Sequence, residues 1–224
     1  MKALIFDLDG VIVSTDRYHY LAWKKLADRL GIEFDEKEAD RLRGVSRMAS
    51  LEIVLEQYHG EPFTSEEKEQ FAKEKNRDYR EYLMKMTAND VSADVRDSLE
   101  ELKKRGHKIA IGSSSRNTKL ILERVGLLTM FDAISDGTNI TKSKPDPEVF
   151  LKAAEFLGES PENCIVVEDA RSGIDAAHAA GMTAVGIGDA ALYDRTDKCI
   201  TSFREGLLGD PVFLGEESNH KKAM

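Results

Sequence analysis

The sequence predicts an α/β fold, a three-layer Rossmann-like core with a parallel sheet plus a helical domain inserted after the first strand. Three observations carry this. Short, continuously apolar runs recur along the chain, as strands buried on both faces require. Segments with apolar residues three or four apart lie between most of these runs, and that alternation marks a parallel sheet. One long stretch, residues 15–87, keeps helical spacing throughout and contains no strand-like run.

Taken in order, the first strand is Lys2-Ala3-Leu4-Ile5-Phe6, which stops at Asp7. The insertion that follows is rich in Glu, Lys and Arg, with turn signals at Gly31, Gly44 and Gly60-Glu61-Pro62. Val95, Leu99 and Leu102 share one helix face, and Asp94 is placed to cap that helix. A second strand runs Lys108–Gly112. Leu120, Ile121 and Val125, followed by Gly126, read as a helix with a C-terminal stop. Phe131–Ile134 is a weaker strand. The helix of Phe150, Ala153, Ala154 and Leu157 then leads to the strand Cys164–Val167. The helix of Ile174, Ala177 and Ala180, closed by Gly181, leads to Thr183–Ile187. The expected division is a core of residues 1–14 and 88–209, a helical domain of 15–87, and a polar, weakly ordered tail of 210–224.

With 224 residues, 41% of them hydrophobic, the chain is long enough for one substantial core and a smaller second unit. A net charge of -9, with both signs mixed along the chain, argues against non-specific nucleic-acid binding and against an anionic membrane surface. It leaves room for a small phosphorylated ligand, which needs only a few local cations. Cys164 and Cys199 lack metal-ligand spacing and read as small buried hydrophobes. The first apolar run is too short for a signal sequence or a membrane span, so a soluble, cytoplasmic protein is expected.

The chemistry-bearing residues cluster where apolar runs end. In Asp7-Leu8-Asp9-Gly10-Val11, strand alternation puts Asp7 and Asp9 on one side, and Gly10 permits a sharp turn. Open α/β sheets bind ligands at the carboxyl ends of their strands. Two carboxylates there repel each other, and a divalent cation relieves that conflict. Mg²⁺ takes oxygen ligands, commonly one or two carboxylates plus a phosphate, and a carboxylate beside it is a known nucleophile. The plain alternative is that the two acids merely begin a loop. Ser113-Ser114-Ser115 and Asn117 precede a helix and suit either an anion site or an ordinary helix cap. In Lys144-Pro145-Asp146-Pro147, Pro145 keeps Lys144 off a helix face, where its ammonium offsets phosphate and carboxylate charge; most lysines are simply solvated. Glu168-Asp169 again ends a buried strand, with Asp169 the better second carboxylate for a metal and Glu168 a ligand or its support. In the insertion, His19, Trp23, Leu26 and Leu30 form one helix stripe, on which His19 reads first as a packing residue. Leu42-Arg43-Gly44-Val45-Ser46-Arg47 is a glycine-containing turn followed by an arginine, suited to a sugar phosphate or to a plain helix–helix turn.

These residues resemble the four motifs of the haloacid-dehalogenase-like superfamily: Asp7-Leu8-Asp9-Gly10-Val11-Ile12, then Ser113, then Lys144-Pro145-Asp146-Pro147, then Glu168-Asp169. They occur in the family's order, and the resemblance spans residues 1–209. It implies strand order 3-2-1-4-5 and catalytic roles for Asp7, Asp9, Ser113 and Lys144, to which the likeness of Thr15–Trp23 to the cap start of β-phosphoglucomutases adds His19. Asp7 attacks phosphorus; Asp9 protonates the leaving oxygen and then acts as base. One Mg²⁺ per active site is implied, with Asp7, Asp9, Glu168 and Asp169 as its ligands. The insertion resembles the family's helical cap, which closes over the substrate.

Within it, Thr15–Trp23 and Gly44-Val45-Ser46-Arg47 are similar to the β-phosphoglucomutase-like family. That likeness implies substrate contacts from Trp23, Gly44, Val45, Ser46, Arg47, Lys75, Ser114, Ser115 and Asn117, with Arg47 holding the phosphate that is not transferred. The implied activity interconverts β-D-glucose 1-phosphate and glucose 6-phosphate through an aspartyl-phosphate and a bisphosphate, with a sugar bisphosphate as primer. The implied partner is a small sugar phosphate, met by a monomer without nucleic acid or membrane. Ser92-Ala93-Asp94-Val95 departs from the Pro-Gly turn common in such mutases. A sugar-phosphate phosphatase of the same superfamily is the alternative. A non-catalytic phosphosugar-binding protein is disfavoured, because nucleophile, acid/base, lysine and metal acids are all present.

Overall fold

A computed structural model describes residues 1–42, 45–211 and 213–216, and the chain divides into one unit of 1–14 with 87 onward and a second of Thr15–Met86. The first unit is built on six strands: β1 (Ala3–Phe6), β2 (Ile109–Gly112), β3 (Ala133–Ser135), β4 (Cys164–Glu168), β5 (Thr183–Gly186) and β6 (Lys198–Cys199). Their order is β3-β2-β1-β4-β5-β6 and every neighbouring pair is parallel. The first five stand in the expected order. The sixth adds an edge that the sequence does not announce, because two residues carry no periodicity. Cys199 lies on that edge and is exposed, not buried as expected; Cys164 is buried, and burial pushes its thiol up to about 11. The runs Ala3–Phe6, Ile109–Gly112 and Cys164–Glu168 are buried at every position, as central strands covered on both faces must be.

The second unit contains α1 (Asp16–Leu30), α2 (Glu36–Asp40), α3 (Arg47–Leu55) and α4 (Ser65–Leu83). Each boundary has a local cause. α1 ends at Gly31, whose φ of 69° is left-handed and whose N–H donates to the carbonyls of Ala27 and Asp28. Asp35 and Ser46 cap α2 and α3 by accepting from the N–H groups of Glu38 and Ala49. Thr64 and Glu67 form a reciprocal box at the start of α4, where the Glu67 N–H donates to Thr64 Oγ1 at 3.2 Å and the Thr64 N–H to Glu67 Oε2 at 2.8 Å. Trp23, Leu26, Ala27, Ile32, Phe34, Leu51, Val54 and Ala72 form this unit's core. No helix among the described residues is long and apolar enough to cross a membrane.

The first unit's remaining helices are α5 (Ala93–Lys104), α6 (Thr118–Arg124), α7 (Glu148–Leu157) and α8 (Arg171–Ala179). Ile5, Ala110, Val166 and Ala184 of the sheet share a buried cluster with Phe150 and Ala153 of α7 and Ile174 and Ala177 of α8. Two expectations need correction. Asp94 does not cap α5: Ser92 does, accepting from the Val95 N–H at 3.2 Å. Asp94 instead accepts from the N–H groups of Phe203 at 2.8 Å and Arg204 at 3.1 Å, a use visible only once the chain has folded back. The start of the tail is also docked. Leu214 is fully buried, the Lys2 N–H donates to its carbonyl at 2.9 Å, and His107 stands between the Lys2 carbonyl and the Glu216 carboxylate. Residues 212 and 217–224 of the expected tail lie outside the described residues.

Candidate active site

The carboxyl ends of β1, β2 and β4 bring most of the core motif residues together. Asp7 follows β1 directly, and its N–H continues the ladder to the Val167 carbonyl at 2.9 Å. Lys144 arrives from the loop before α7, and its ammonium donates to both Asp7 Oδ1 and Glu168 Oε1. These three side chains are nearly sealed from solvent, at 8% exposure for Lys144, 10% for Asp7 and 1% for Glu168. The other oxygen of Glu168 accepts from the Ala170 N–H at 3.0 Å. Beneath the lysine lies Phe150, whose ring centroid is 4.7 Å from Nζ. Helical periodicity marks Phe150 as core, and nothing in the sequence signals that it also underlies Lys144. Its space exists because β2 ends in Gly112, where a Cβ would come within 2.6 Å of the Phe150 ring.

Asp7, Glu168 and Asp169 each offer a carboxylate oxygen within 4.8 Å of the others. Lys144 bonds to two of these acids, Asp7 and Glu168, and all three carboxylates crowd one another. The group's donors are all oxygen, which is the set that suits Mg²⁺. The crowding shows in Asp7 itself. Burial pushes its carboxyl well above the usual range, Lys144 opposes that, and Glu168 and Asp169 add to it. Burial also works against the Lys144 ammonium, but Asp7 and Glu168 outweigh it and hold its pKa above the ordinary value. A divalent cation held among these oxygens would supply positive charge beside Asp7.

The Asp9 carboxylate is not part of that trio. Strand alternation does not reach it: β1 ends at Phe6, and Asp9 bridges to Val13 in a tight turn around Gly10, whose φ is 82°. The Ser113 hydroxyl accepts from the Ser115 N–H at 3.2 Å, which leaves its own proton to donate. The Ser115 hydroxyl accepts from the Asn117 N–H at 3.2 Å. The side chain of Asn117 does not cap α6, although a cap was one of the two expected uses. Ser114 is half-buried beside them.

The other expected residues fall in the helical unit. The His19 ring lies over Tyr79 with centroids 4.1 Å apart, and its Nδ1 is 2.8 Å from Lys75 Nζ. An ammonium can only donate, so Nδ1 is the acceptor and the neutral ring carries its proton on Nε2. Burial, then the charges of Lys75 and Arg47, hold the imidazole well below its ordinary pKa. Lys75 is itself 3% exposed, with Nζ 4.7 Å from the ring centroids of both Trp23 and Tyr79. Trp23, expected to touch substrate, is a core residue at 2% exposure. It was on the same stripe as Leu26, and burial of that stripe took it inward. Ser46 caps α3, Arg47 is the first residue of that helix and is half-buried, and Val45 is half-buried with its carbonyl accepting from the Ser50 hydroxyl. Gly44 lies outside the described residues.

The chain is similar to several known proteins. The family model for haloacid dehalogenase-like hydrolases matches residues 1–181. A β-phosphoglucomutase of Bacillus subtilis is 46% identical over 189 residues, covering 84% of each chain. A phosphorylated carbohydrates phosphatase of Thermotoga maritima is 32% identical over 184 residues, covering 81% of this chain and 82% of its own. Among solved structures, a β-phosphoglucomutase from Clostridium difficile superposes with a TM-score of 0.82 at 39% identity, over 92% of both chains.

Proposed function

Because the chain belongs to the haloacid dehalogenase-like hydrolase family, we propose that it interconverts β-D-glucose 1-phosphate and glucose 6-phosphate. The observation that carries the reading is the 46% identity to the Bacillus mutase, against 32% to the Thermotoga phosphatase, over similar shares of the chain. The geometry supports the chemistry that both relatives imply. A buried carboxylate, Asp7, stands in hydrogen-bond contact with a buried ammonium, which is an arrangement for handling phosphoryl charge.

In this reading Asp7 attacks phosphorus and carries the phosphoryl group as an aspartyl-phosphate. Asp9 gives a proton to the leaving oxygen and takes one from the incoming hydroxyl. Lys144 holds the Asp7 carboxylate in place and offsets charge on the transferring group. Ser113 donates its hydroxyl proton to a phosphate oxygen, with Ser114, Ser115 and Asn117 beside it. Asp7, Glu168 and Asp169 would hold one Mg²⁺, which supplies charge neutralisation at the phosphoryl oxygens. The helical unit acts as the cap. Its His19 presents Nε2–H, Lys75 fixes that tautomer, and Arg47 with the Val45–Ser46 turn holds the phosphate that stays on the sugar. A sugar bisphosphate primes the cycle by phosphorylating Asp7. The protein works as a cytoplasmic monomer, which suits its two free cysteines.

The Thermotoga relative favours hydrolysis as the second reading. The test is formation of glucose 6-phosphate from β-D-glucose 1-phosphate with Mg²⁺ and bisphosphate primer, measured beside phosphate release. Isomer formation well ahead of phosphate release is expected. Rapid release without isomer would establish the phosphatase. Arg47→Ala should lower isomerisation far more than hydrolysis of a small aryl phosphate, which has no second phosphate to hold. Equal losses on both would remove Arg47 from the role.

A further inference from the structure

Two carboxylates of the acidic trio rest on glycines. A Cβ at Gly10 would overlap Asp169 Cγ and Oδ2, and one at Gly173 would lie 2.5 Å from Glu168 Cγ and closer still to Cδ and Oε1. Gly10 has a left-handed φ that demands glycine for backbone reasons alone. Gly173 has no such excuse. It sits in the first turn of α8, its N–H donates to the Ala170 carbonyl at 3.1 Å, and its φ is not left-handed. Glycine within a helix is unfavourable relative to alanine, so backbone preference alone would put alanine here.

We propose that Gly173 is a positioning residue whose bare Cα is the seat of the Glu168 carboxylate. The carboxylate is fixed from three directions. Lys144 donates to Oε1, the Ala170 N–H donates to Oε2 at 3.0 Å, and Gly173 lies beneath Oε1 and Cδ. Fill the seat with a methyl group and the carboxylate must leave. Oε1 then withdraws from Lys144, and the trio with Asp7 and Asp169 opens. Gly173 thereby acts on cation affinity and on Lys144 without touching either. The inference rests on the reading of Asp7, Glu168 and Asp169 as a divalent-cation site.

The test is a double-mutant cycle in the full chain with Gly173→Ala, Glu168→Ala and the combined variant. It is read by Tm without metal and by Mn²⁺ affinity from the free-ion paramagnetic resonance signal. In the wild-type background Gly173→Ala should weaken Mn²⁺ binding about ten- to hundredfold, the usual cost of disturbing the groups behind a metal ligand. It should also lower Tm. In the Glu168→Ala background the seat is empty, so the same substitution should leave Tm unchanged or raise it through helix propensity. A Gly173→Ala chain too unstable to purify would serve equally if adding Glu168→Ala restored folding. The proposal is overturned if Gly173→Ala binds Mn²⁺ as the wild type does, or if it lowers Tm equally in both backgrounds. Asp169→Asn separates this from the site reading. If it too leaves Mn²⁺ binding intact, the metal site itself is wrong; if it abolishes binding while Gly173→Ala does not, only the seat is wrong.

Discussion

Lys144→Met probes how the site balances charge. The ammonium is the shared partner of Asp7 and Glu168, and all three side chains are at most 10% exposed. Methionine is unbranched and nearly as long as lysine, but it removes the ammonium and with it the charge over the Phe150 ring. Asp7 and Glu168 then lose the ammonium they share and stay buried beside each other. Removing one partner from a buried pair costs about 3–5 kcal/mol, because the survivors stay desolvated. For a chain of this size each kcal/mol moves Tm by about 2–4 °C, so a drop of roughly 6–20 °C is expected in EDTA. Added Mg²⁺ should recover part of it, since a divalent cation among the same oxygens restores positive charge. Lys24→Met is the control. Lys24 bonds to Asp28 along α1 with a side chain 40% exposed, and its loss should be barely measurable. Scanning calorimetry of the three proteins with and without Mg²⁺ decides. A Lys144→Met Tm as close to wild type as that of Lys24→Met would refute the idea that this ammonium balances buried carboxylates.

Two other perturbations test different parts of the structure. Gly112→Ala puts a methyl group 2.6 Å from the Phe150 ring and 3.0 Å from Ile5, so an overpacking cost of about 1–3 kcal/mol is expected in urea unfolding, and an unchanged midpoint would show the core to be looser than described. His19 is held below its ordinary pKa of 6.5 by burial, then by Lys75 and Arg47, so on acidification through that value the unfolded chain takes up a proton that the folded one refuses. Stability should therefore fall as the pH drops below 6.5 and be insensitive to this group above it; in Lys75→Met, where burial and Arg47 remain, the fall should level off at a higher pH. Denaturant midpoints measured against His19→Gln isolate the effect, and equal pH slopes in the wild type and His19→Gln would contradict it.

What could be read in the sequence, and what could not, divides along a physical line. Strands buried on both faces must be apolar throughout, so β1, β2 and β4 announce themselves, and an acid that ends such a run is conspicuous. Asp7, Glu168 and Asp169 are legible for that reason, and Lys144 because Pro145-Asp146-Pro147 follows it. Periodicity names a face but never a partner. His19 and Lys75 lie 56 positions apart and Lys144 and Asp7 137, and only closure of the fold joins them. The same limit hides β6, which is too short to have a period, and the docking of Leu214, whose neighbours lie at the opposite end of the chain. Trp23 shows the limit from the other side: the helix stripe that marks it says nothing of the Lys75 ammonium that stands over its ring. Glu168 makes the consequence clearest. Its sequence context says only that an acid ends a strand, which suits a metal ligand. Folding gives one oxygen to Lys144 and the other to the Ala170 N–H, so the residue orients the lysine that balances Asp7 as well as joining the acidic trio. Its role is set by what the fold places around it, down to the hydrogen atom that Gly173 has in place of a side chain.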